Sequence, residues 1–519
     1  MTVVFGLSAV WEYQTRARIA PGFDPTLYPP PASGWTSGGI SPFGNTTIRG
    51  VEYVTHWATN SGLWTRRNFV SDGTKNLHLT VFADNRAYIY INGTFFAKFE
   101  GEGGFDFNAI VPASLLPAGT NSIAVLAMDD GAVTFLSVIG EWAGSVFALQ
   151  PQLPVRETVA WLTDVVTARD GRETRQQLRV QPRQQFAFSY PANNGEQRRA
   201  FNLVYGNRSK EWLVPIWTEA RYVGAVTAGV HTIPSDVSNY DFRLGEFAIL
   251  WQSPAQWQII NILSFSFNQI VSGIAPQAFT GAWVMPLRIA FMRDNPNKKF
   301  NGRESTYELK FDIQTNYAPA EMAAPTQFLA EDLSTEQPLL NGALSTDSIL
   351  GELDLNDEDL GVVQFYAPWI NNKISRTHSR EAVGAAEAIA LRRWVYRRKG
   401  KYKAFWQPSF EDDLRVLSTG TITTALIVSS DAYMGNAEAR KYLAVQTASG
   451  WTLATIQSSA QLDAARVQHT LTSSLGIAAS AIQRVCWLGL KRLNSDQVEF
   501  NWFGQGVVRV DVPVLEISP

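Results

Sequence analysis

The stretch Tyr88–Phe99, YIYINGTFFAKF, decides how the first part of the chain folds. Asn92-Gly93 stands between two alternating aromatic runs. That pair is a strong hairpin signal, because a type I′ turn needs positive φ at both central residues. Working outward, LHLTVFA (77–83) sets Leu77, Leu79, Val81 and Ala83 against His78, Thr80 and Phe82, the period of a half-buried strand. NSIAVLAM (121–128) puts Ile123, Val125 and Ala127 on one face, and VTFLSVIGEW (133–142) follows. Strands separated by turn residues, with no helical period among them, predict an antiparallel β-sandwich over residues 1–142.

Composition fits a folded chain with several cores. The 519 residues include 17 Trp, 16 Tyr and 29 Phe, and 18% are charged, below the usual share of about 25%. Lys plus Arg (44) nearly cancels Asp plus Glu (47), which argues against a nucleic-acid-binding charge over the whole chain. One cysteine, Cys486, excludes an intrachain disulfide framework or a cysteine zinc cluster. No basic start precedes the apolar opening, and no stretch approaches the roughly 18 apolar residues of a membrane helix. The expectation is a folded protein made in a cytoplasm, without a membrane anchor.

Beyond residue 150 the chain reads as a diverged duplication, 150–325 and 361–519, joined by an acidic linker or extension at 326–360. AFNLVYGNRSKEWLVPIWTEARYV (200–223) has a counterpart in LRRWVYRRKGKYKAFWQPSFEDDLRV (391–416). Val-Tyr recurs at 204–205 and 395–396, and Pro215-x-Trp217-x-Glu219 matches Pro408-x-Phe410-x-Asp412. LKFDI (309–313) and VRVDV (508–512) end the two copies. ETVAWLTDVVTARDGRETRQQLRVQPRQQF (157–186) predicts two strands around an Asp170-Gly171 turn. Helix is expected over 379–399, which is alanine-rich and free of proline. A second helix is expected over 458–476, ending at Gly476. The fold class is therefore mainly β with some α: an N-terminal β-sandwich, then two diverged α+β domains.

Two resemblances follow. Trp35, Pro42-Phe43-Gly44, Trp57, LWTRRNF (63–69), DNRAYIYING (84–93) and LPAGTNSIAV (116–125) resemble the galactose-binding-like jelly roll, an accessory domain of carbohydrate-active enzymes. Glu157, Trp161, Thr163, Asp164 and Val165, the Gly171-x-Glu173-x-Arg175 turn and FWQPSFEDDL (405–414) resemble tailed-bacteriophage distal-tail or baseplate proteins. The second resemblance implies a non-enzymatic virion protein at the tail tip. Such a protein forms a trimeric or hexameric ring and meets the tail tube, tape measure and tail hub or tip proteins. This chain departs by carrying the jelly roll at its N-terminus, as a host-glycan adhesin or a spacer. A carbohydrate-active enzyme or a lectin is the alternative.

No His-Glu-x-x-His, phosphate loop, dinucleotide fingerprint or Gly-x-Ser-x-Gly elbow is present, and the histidines at 56, 78, 231, 378 and 469 have no ligand spacing. The run from Asp354 to Gly361 is similar to a calcium loop, but Asp359 stands where glycine belongs and Phe365 where the bidentate Glu belongs. Gly-Glu-Gly-Gly (101–104) is expected to be a loop. Asp84 and Asp129-Asp130, the carboxylates open to a glycosidase reading, read more simply as turn formers. No catalytic residue, metal or cofactor is expected.

Sugar-binding candidates are Trp35, Trp64, Arg66, Arg67, Asp84 and Asn85, aromatic faces for a pyranose with polar groups for its hydroxyls; the competing reading places Trp64 in the core and Asp84-Asn85 in a turn. The charge map is sharper. Residues 311–370 hold eleven acidic side chains and no Lys or Arg, whereas 371–403 hold ten basic ones against Glu381 and Glu387. Trp394, Tyr396 and Tyr402 would suit the basic run to nucleic acid in a tail lumen. The preferred expectation is a salt-sensitive subunit interface with no specific nucleic acid. Arg392, Arg393, Arg397, Arg398 and Lys399 would meet Asp354, Asp357, Glu358 and Asp359 of a neighbouring copy.

Overall fold

The computed structural model describes residues 3–48, 51–100, 105–274, 276–300, 304–314, 319, 322–339, 347–356, 363–367, 369, 372–430 and 440–518. Strands make up 56% of the described residues and helices 8%, so the protein is mainly β with some α. It divides into two compact units, Met1–Arg156 with Gln185–Tyr317 and Trp502–Gly506, and Glu157–Gln184 with Ala318–Asn501 and Val507–Pro519. The segment 157–184, which the sequence reading placed inside the first repeat at 150–325, thus groups with the later part of the chain instead. Gly101–Gly104 lie outside the described residues.

In the first unit, two six-stranded sheets face each other across residues 3–142. One holds Leu77–Ala83 between Phe105–Val111 and Phe135–Trp142; the other runs from Thr36–Ile40 through Val10–Ala17, Ser61–Ser71, Gly119–Met128 and Arg86–Ile91 to Thr94–Glu100. Asn92 and Gly93 have φ of 49° and 82° between the last two strands, as the type I′ turn requires. Leu79, Val81, Ile89, Ile123 and Val125 fill the shared core. The half-buried expectation for LHLTVFA needs correction. Its second face is covered too: Phe82 packs edge-on against Phe135 at 5.1 Å, and His78 against Phe247 at 5.5 Å. Ile110 joins Leu213, Ile249 and Leu287 in a further core, so the sandwich has apolar contacts on both sides of this sheet.

The duplication is legible in the strand pairing. Each repeat opens with a long strand, Arg183–Asn193 or Lys373–Val383, followed by a helix, α1 (Asn194–Asn207) or α2 (Ala385–Arg398). Val-Tyr occupies the same turn of both helices, and Val204 and Val395 are buried. The next strands, Trp212–Pro215 and Ala404–Pro408, each make one short parallel pairing, with Ser145–Val146 and Glu331–Leu333. Pro215 lies opposite Leu287, and Pro408 opposite Leu488. Within each repeat a small curled sheet is then inserted. Phe247–Ser253, Gln256–Phe265 and Gln269–Ser272 pair in series in one, and Tyr442–Thr447, Gly450–Gln461 and Arg466–Leu471 in the other. Even the irregularity recurs, between Ile262 and Ser264 and between Ile456 and Ser458. Separate apolar cores fill the two inserts.

Two sequence readings change. Residues 458–476 form no helix: Gly450–Gln461 and Arg466–Leu471 are antiparallel strands. Val467, His469 and Leu471 are buried while their neighbours are not, a period of two that overrides the alanines' helical propensity. In the 379–399 stretch the strand runs to Val383, Gly384 caps at φ 113°, and helix occupies Ala385–Arg398. The terminal match also shifts. Phe291 faces Asp312 and Gln185 faces Asp312, while Arg492 faces Leu515 and Ser375 faces Leu515. LKFDI therefore aligns with 512–516, four residues beyond VRVDV.

Candidate functional site

The sugar-binding candidates divide. Trp64 is a core residue: its ring packs on Tyr90 at 5.1 Å, with Tyr88, Leu126 and Met128, so it offers no face to a ligand. The segment that follows Ala17 covers this side of the sheet, contributing Ile19, Phe23 and Trp35. Trp35 donates its indole N–H to the Pro31 carbonyl at 2.8 Å and lies under the Arg66 guanidinium, 4.4 Å from its ring centre. Arg66 Nε reaches Glu12 Oε2 at 2.5 Å. Arg67, its neighbour along an alternating strand, donates instead to the Val10 carbonyl at 2.7 Å. Asn85 has φ 73° and accepts from the Asp130 N–H at 2.7 Å, and Asp84 is buried beside it. Asp129 accepts from Asn60 N–H at 2.5 Å and Gly131 N–H at 3.1 Å, and burial raises its carboxyl. Asp130 holds Arg86 with two bonds of 2.6 Å. These carboxylates close turns.

The first unit also carries an open groove of about 750 Å³ that the sequence did not signal. Trp142, Lys75, Asn76, Asn207, Lys210 and Glu211 line it, with Lys75 Nζ 5.9 Å from the Trp142 ring centre. Burial raises the Glu211 carboxyl. An aromatic face beside amides, ammonium groups and a carboxylate is the chemistry of a polar, ring-shaped ligand.

The charge complementarity is met inside one chain. Asp332, from the acidic block, takes Arg397 at 2.6 and 2.8 Å and Arg398 at 2.7 Å. Burial pushes the Asp332 carboxyl up, yet the two guanidinium groups hold it below the usual range. Glu336 accepts from Arg380 at 2.7 Å, and Asp347 and Glu411 both hold Arg376. Arg392 is buried on Glu157 at 2.5 Å. Lys399 closes α2 with φ 50°, and Arg393 lies half-buried on it. Asp354, on an exposed hairpin, lies 3.4 Å from Arg169. Asp357, Glu358 and Asp359 lie outside the described residues. The expectation that these arginines are kept for a neighbouring subunit is corrected for Arg392, Arg397 and Arg398. A buried guanidinium without its carboxylate is too costly to hold in reserve.

Glu157, Trp161, Thr163 and Glu173, quoted above for the second resemblance, all make their contacts within the second unit. Glu157 accepts from Gln184 as well as Arg392. Trp161 packs edge-on against Tyr396 at 5.4 Å and donates its backbone N–H to the Asp496 carbonyl. The Asp496 carboxylate takes Thr163 N–H at 2.7 Å, the Thr163 hydroxyl at 2.9 Å and Lys401 N–H at 2.9 Å. Thr163–Thr167 and Glu173–Gln177 form the expected hairpin, with Gly171 at φ 87°. Glu173 is buried with Lys373 at 2.9 Å and Arg492 at 2.7 Å. Burial raises that carboxyl, but the two cations outweigh it and bring it below the usual range. Pairing partners hundreds of residues apart leave no local signal, which is why sequence reasoning missed them. Among the described residues no three His, Cys, Asp or Glu side chains are placed to hold a metal ion, and no helix is long and apolar enough to cross a membrane.

Comparison with known proteins adds little. No protein-family model matches the chain, and no curated protein matches it. One solved chain it is similar to is an anti-sigma factor domain-containing protein, 7% identical over 59% of this chain and 89% of that one. The TM-score of 0.18 is too low for that likeness to bear on fold or function.

Proposed function

We propose that this chain is a structural subunit of a tailed-phage tail tip, a ring component that joins the tail tube to the receptor-binding apparatus. The supporting observation is the internal duplication, in which a long strand, a helix, a strand with a short parallel pairing and a strand series with one shared register shift recur. Three such chains present six related repeats, so a trimer matches a six-fold tube as well as a hexamer does. Its partners are then copies of itself, the tube, the tape measure and the hub, and it resides in the virion. Native mass measurement on the purified protein and fractionation of phage particles test this reading. Three or six copies, with the chain in the particle fraction, are expected. A monomer at every concentration, absent from particles, overturns the reading.

The groove beside Trp142 favours a second role for the first unit, binding a surface glycan. Trp142→Ala is expected to weaken glycan-array binding about tenfold or more, the loss of one aromatic anchor, while Trp35→Ala leaves binding intact. Absence of any array signal from the full chain removes this role.

A further inference from the structure

In the second repeat the outer side of α2 is covered by the chain's own segment 157–161. Glu157 pairs with buried Arg392, and Trp161 packs on Tyr396. That segment and the Thr163–Gln177 hairpin after it come before Arg183–Asn193, the opening strand of the first repeat. Arg392 and Tyr396 stand at the eighth and twelfth positions of the 14-residue α2, and the same positions of the 14-residue α1 are Phe201 and Tyr205. Those two rings stack on each other at 5.6 Å and are 45% and 79% exposed. One repeat has this helix face covered; in the other the two rings are exposed, with Lys298 Nζ 5.3 Å from the Phe201 ring centre among the described residues.

The duplication identifies what fits there. The counterpart of segment 157–161 is the stretch that precedes the second repeat. Glu157 bonds the Gln184 side chain across adjacent strands. Because Gln185 aligns with Ser375, Gln184 aligns with Ile374, and Ile374 lies opposite Ile349. Ile349 thus takes the place of Glu157, and Leu353 follows it by four residues as Trp161 follows Glu157. Ile349 and Leu353 are 73% and 53% exposed. The chemistry has changed on both sides together. The Glu–Arg pair of the covered contact becomes Ile and Phe in the open one, and Trp–Tyr becomes Leu–Tyr. The surroundings agree in sign: α1 exposes Arg198 and Arg199, and the arm carries Glu352 and Asp354.

We propose that Ile349 and Leu353 of one copy of this chain dock on Phe201 and Tyr205 of a second copy, an intermolecular replica of the contact that 157–161 makes within the chain. The contact is head-to-tail, so repetition closes a ring when the rotation closes. This rests on the ring reading above and names the surface that would build it.

Charge exchange tests the contact. Phe201→Arg and Ile349→Glu place charges at exposed positions, so tryptophan fluorescence and the melting curve stay those of the wild type. Each single variant is expected to raise the dissociation constant for assembly about tenfold or more. The double variant regenerates the Glu–Arg pairing of the second repeat and is expected to recover assembly, which salt then weakens more steeply than it weakens the wild-type contact with its apolar centre. Wild-type rings with both single variants assembling normally overturn this contact and leave the ring reading standing. A wild-type chain that stays monomeric overturns both.

Discussion

Glu173→Ala is expected to cost about 3–5 kcal/mol, the penalty for removing one partner of a buried ion pair. Its carboxylate is nearly inaccessible, and so are Lys373 and Arg492, which reach it at 2.9 Å and 2.7 Å. Without Glu173, two buried cations face each other with nothing between them. Glu173→Gln should lose nearly as much, since the amide keeps the shape but cannot balance either charge. Lys373→Met should cost less, because Glu173 keeps Arg492 with bonds of 2.7 and 3.1 Å. Replacing all three by apolar residues of similar volume should restore much of the loss, as no charge is then left unpaired. Denaturant midpoints of the four variants check the order. A Glu173→Ala midpoint equal to wild type would show that water reaches the pair in solution and that the triad is not a clamp.

The features that sequence displayed well are those set by neighbours along the chain. The Asn92-Gly93 turn has positive φ at both residues and the Asp170-Gly171 turn at Gly171, a region that glycine and asparagine enter at low cost. Val204, Val395 and the two prolines recur because each sits at a fixed place in its repeat, the valines buried and the prolines opposite Leu287 and Leu488. What sequence concealed depends on distant partners. Arg392 and Glu157 are 235 positions apart, and Arg492 and Glu173 are 319 apart. An acidic block followed by a basic block reads equally well as two subunits attracting each other or as one chain folding on itself. Burial of Asp332 with Arg397 and Arg398 decides for the second. Trp35 and Trp64 look alike on paper, but only Trp64 points into a layer covered by the segment after Ala17, which has no periodicity to reveal that it packs.

Acid should weaken this protein above the usual range of carboxylates, because burial lowers His78 in the first unit and two histidines of the second repeat. His378 is buried, and its Nε2 has no hydrogen-bond partner among the described residues. Burial, with Lys491, Arg376 and Arg380 near, pushes it down to about 2. Burial also lowers His469, whose Nδ1 contacts the Ser459 hydroxyl at 2.8 Å. The unfolded chain takes up a proton at each near pH 6.5, and the folded chain does so only at lower pH. Stability is therefore intact above about pH 6.5 and declines below it, by about 1.4 kcal/mol per pH unit for each histidine that stays neutral in the fold. The aligned repeat shows what an apolar solution looks like. Phe188 stands where His378 does, and Ile270 where His469 does, both buried. His378→Phe should then flatten the slope between pH 6.5 and 4.5, a window in which the clamped Glu173 and Asp332 remain ionised. At pH 4.5 the variant should keep about 2.7 kcal/mol that the wild type has lost relative to pH 7, two pH units at the slope above. Adding His469→Ile removes more of the slope at the cost of the Ser459 bond. Urea midpoints at pH 7.5, 5.5 and 4.5 measure this directly. Parallel curves for wild type and His378→Phe would mean that His378 is charged in the fold, contrary to the cations that surround it.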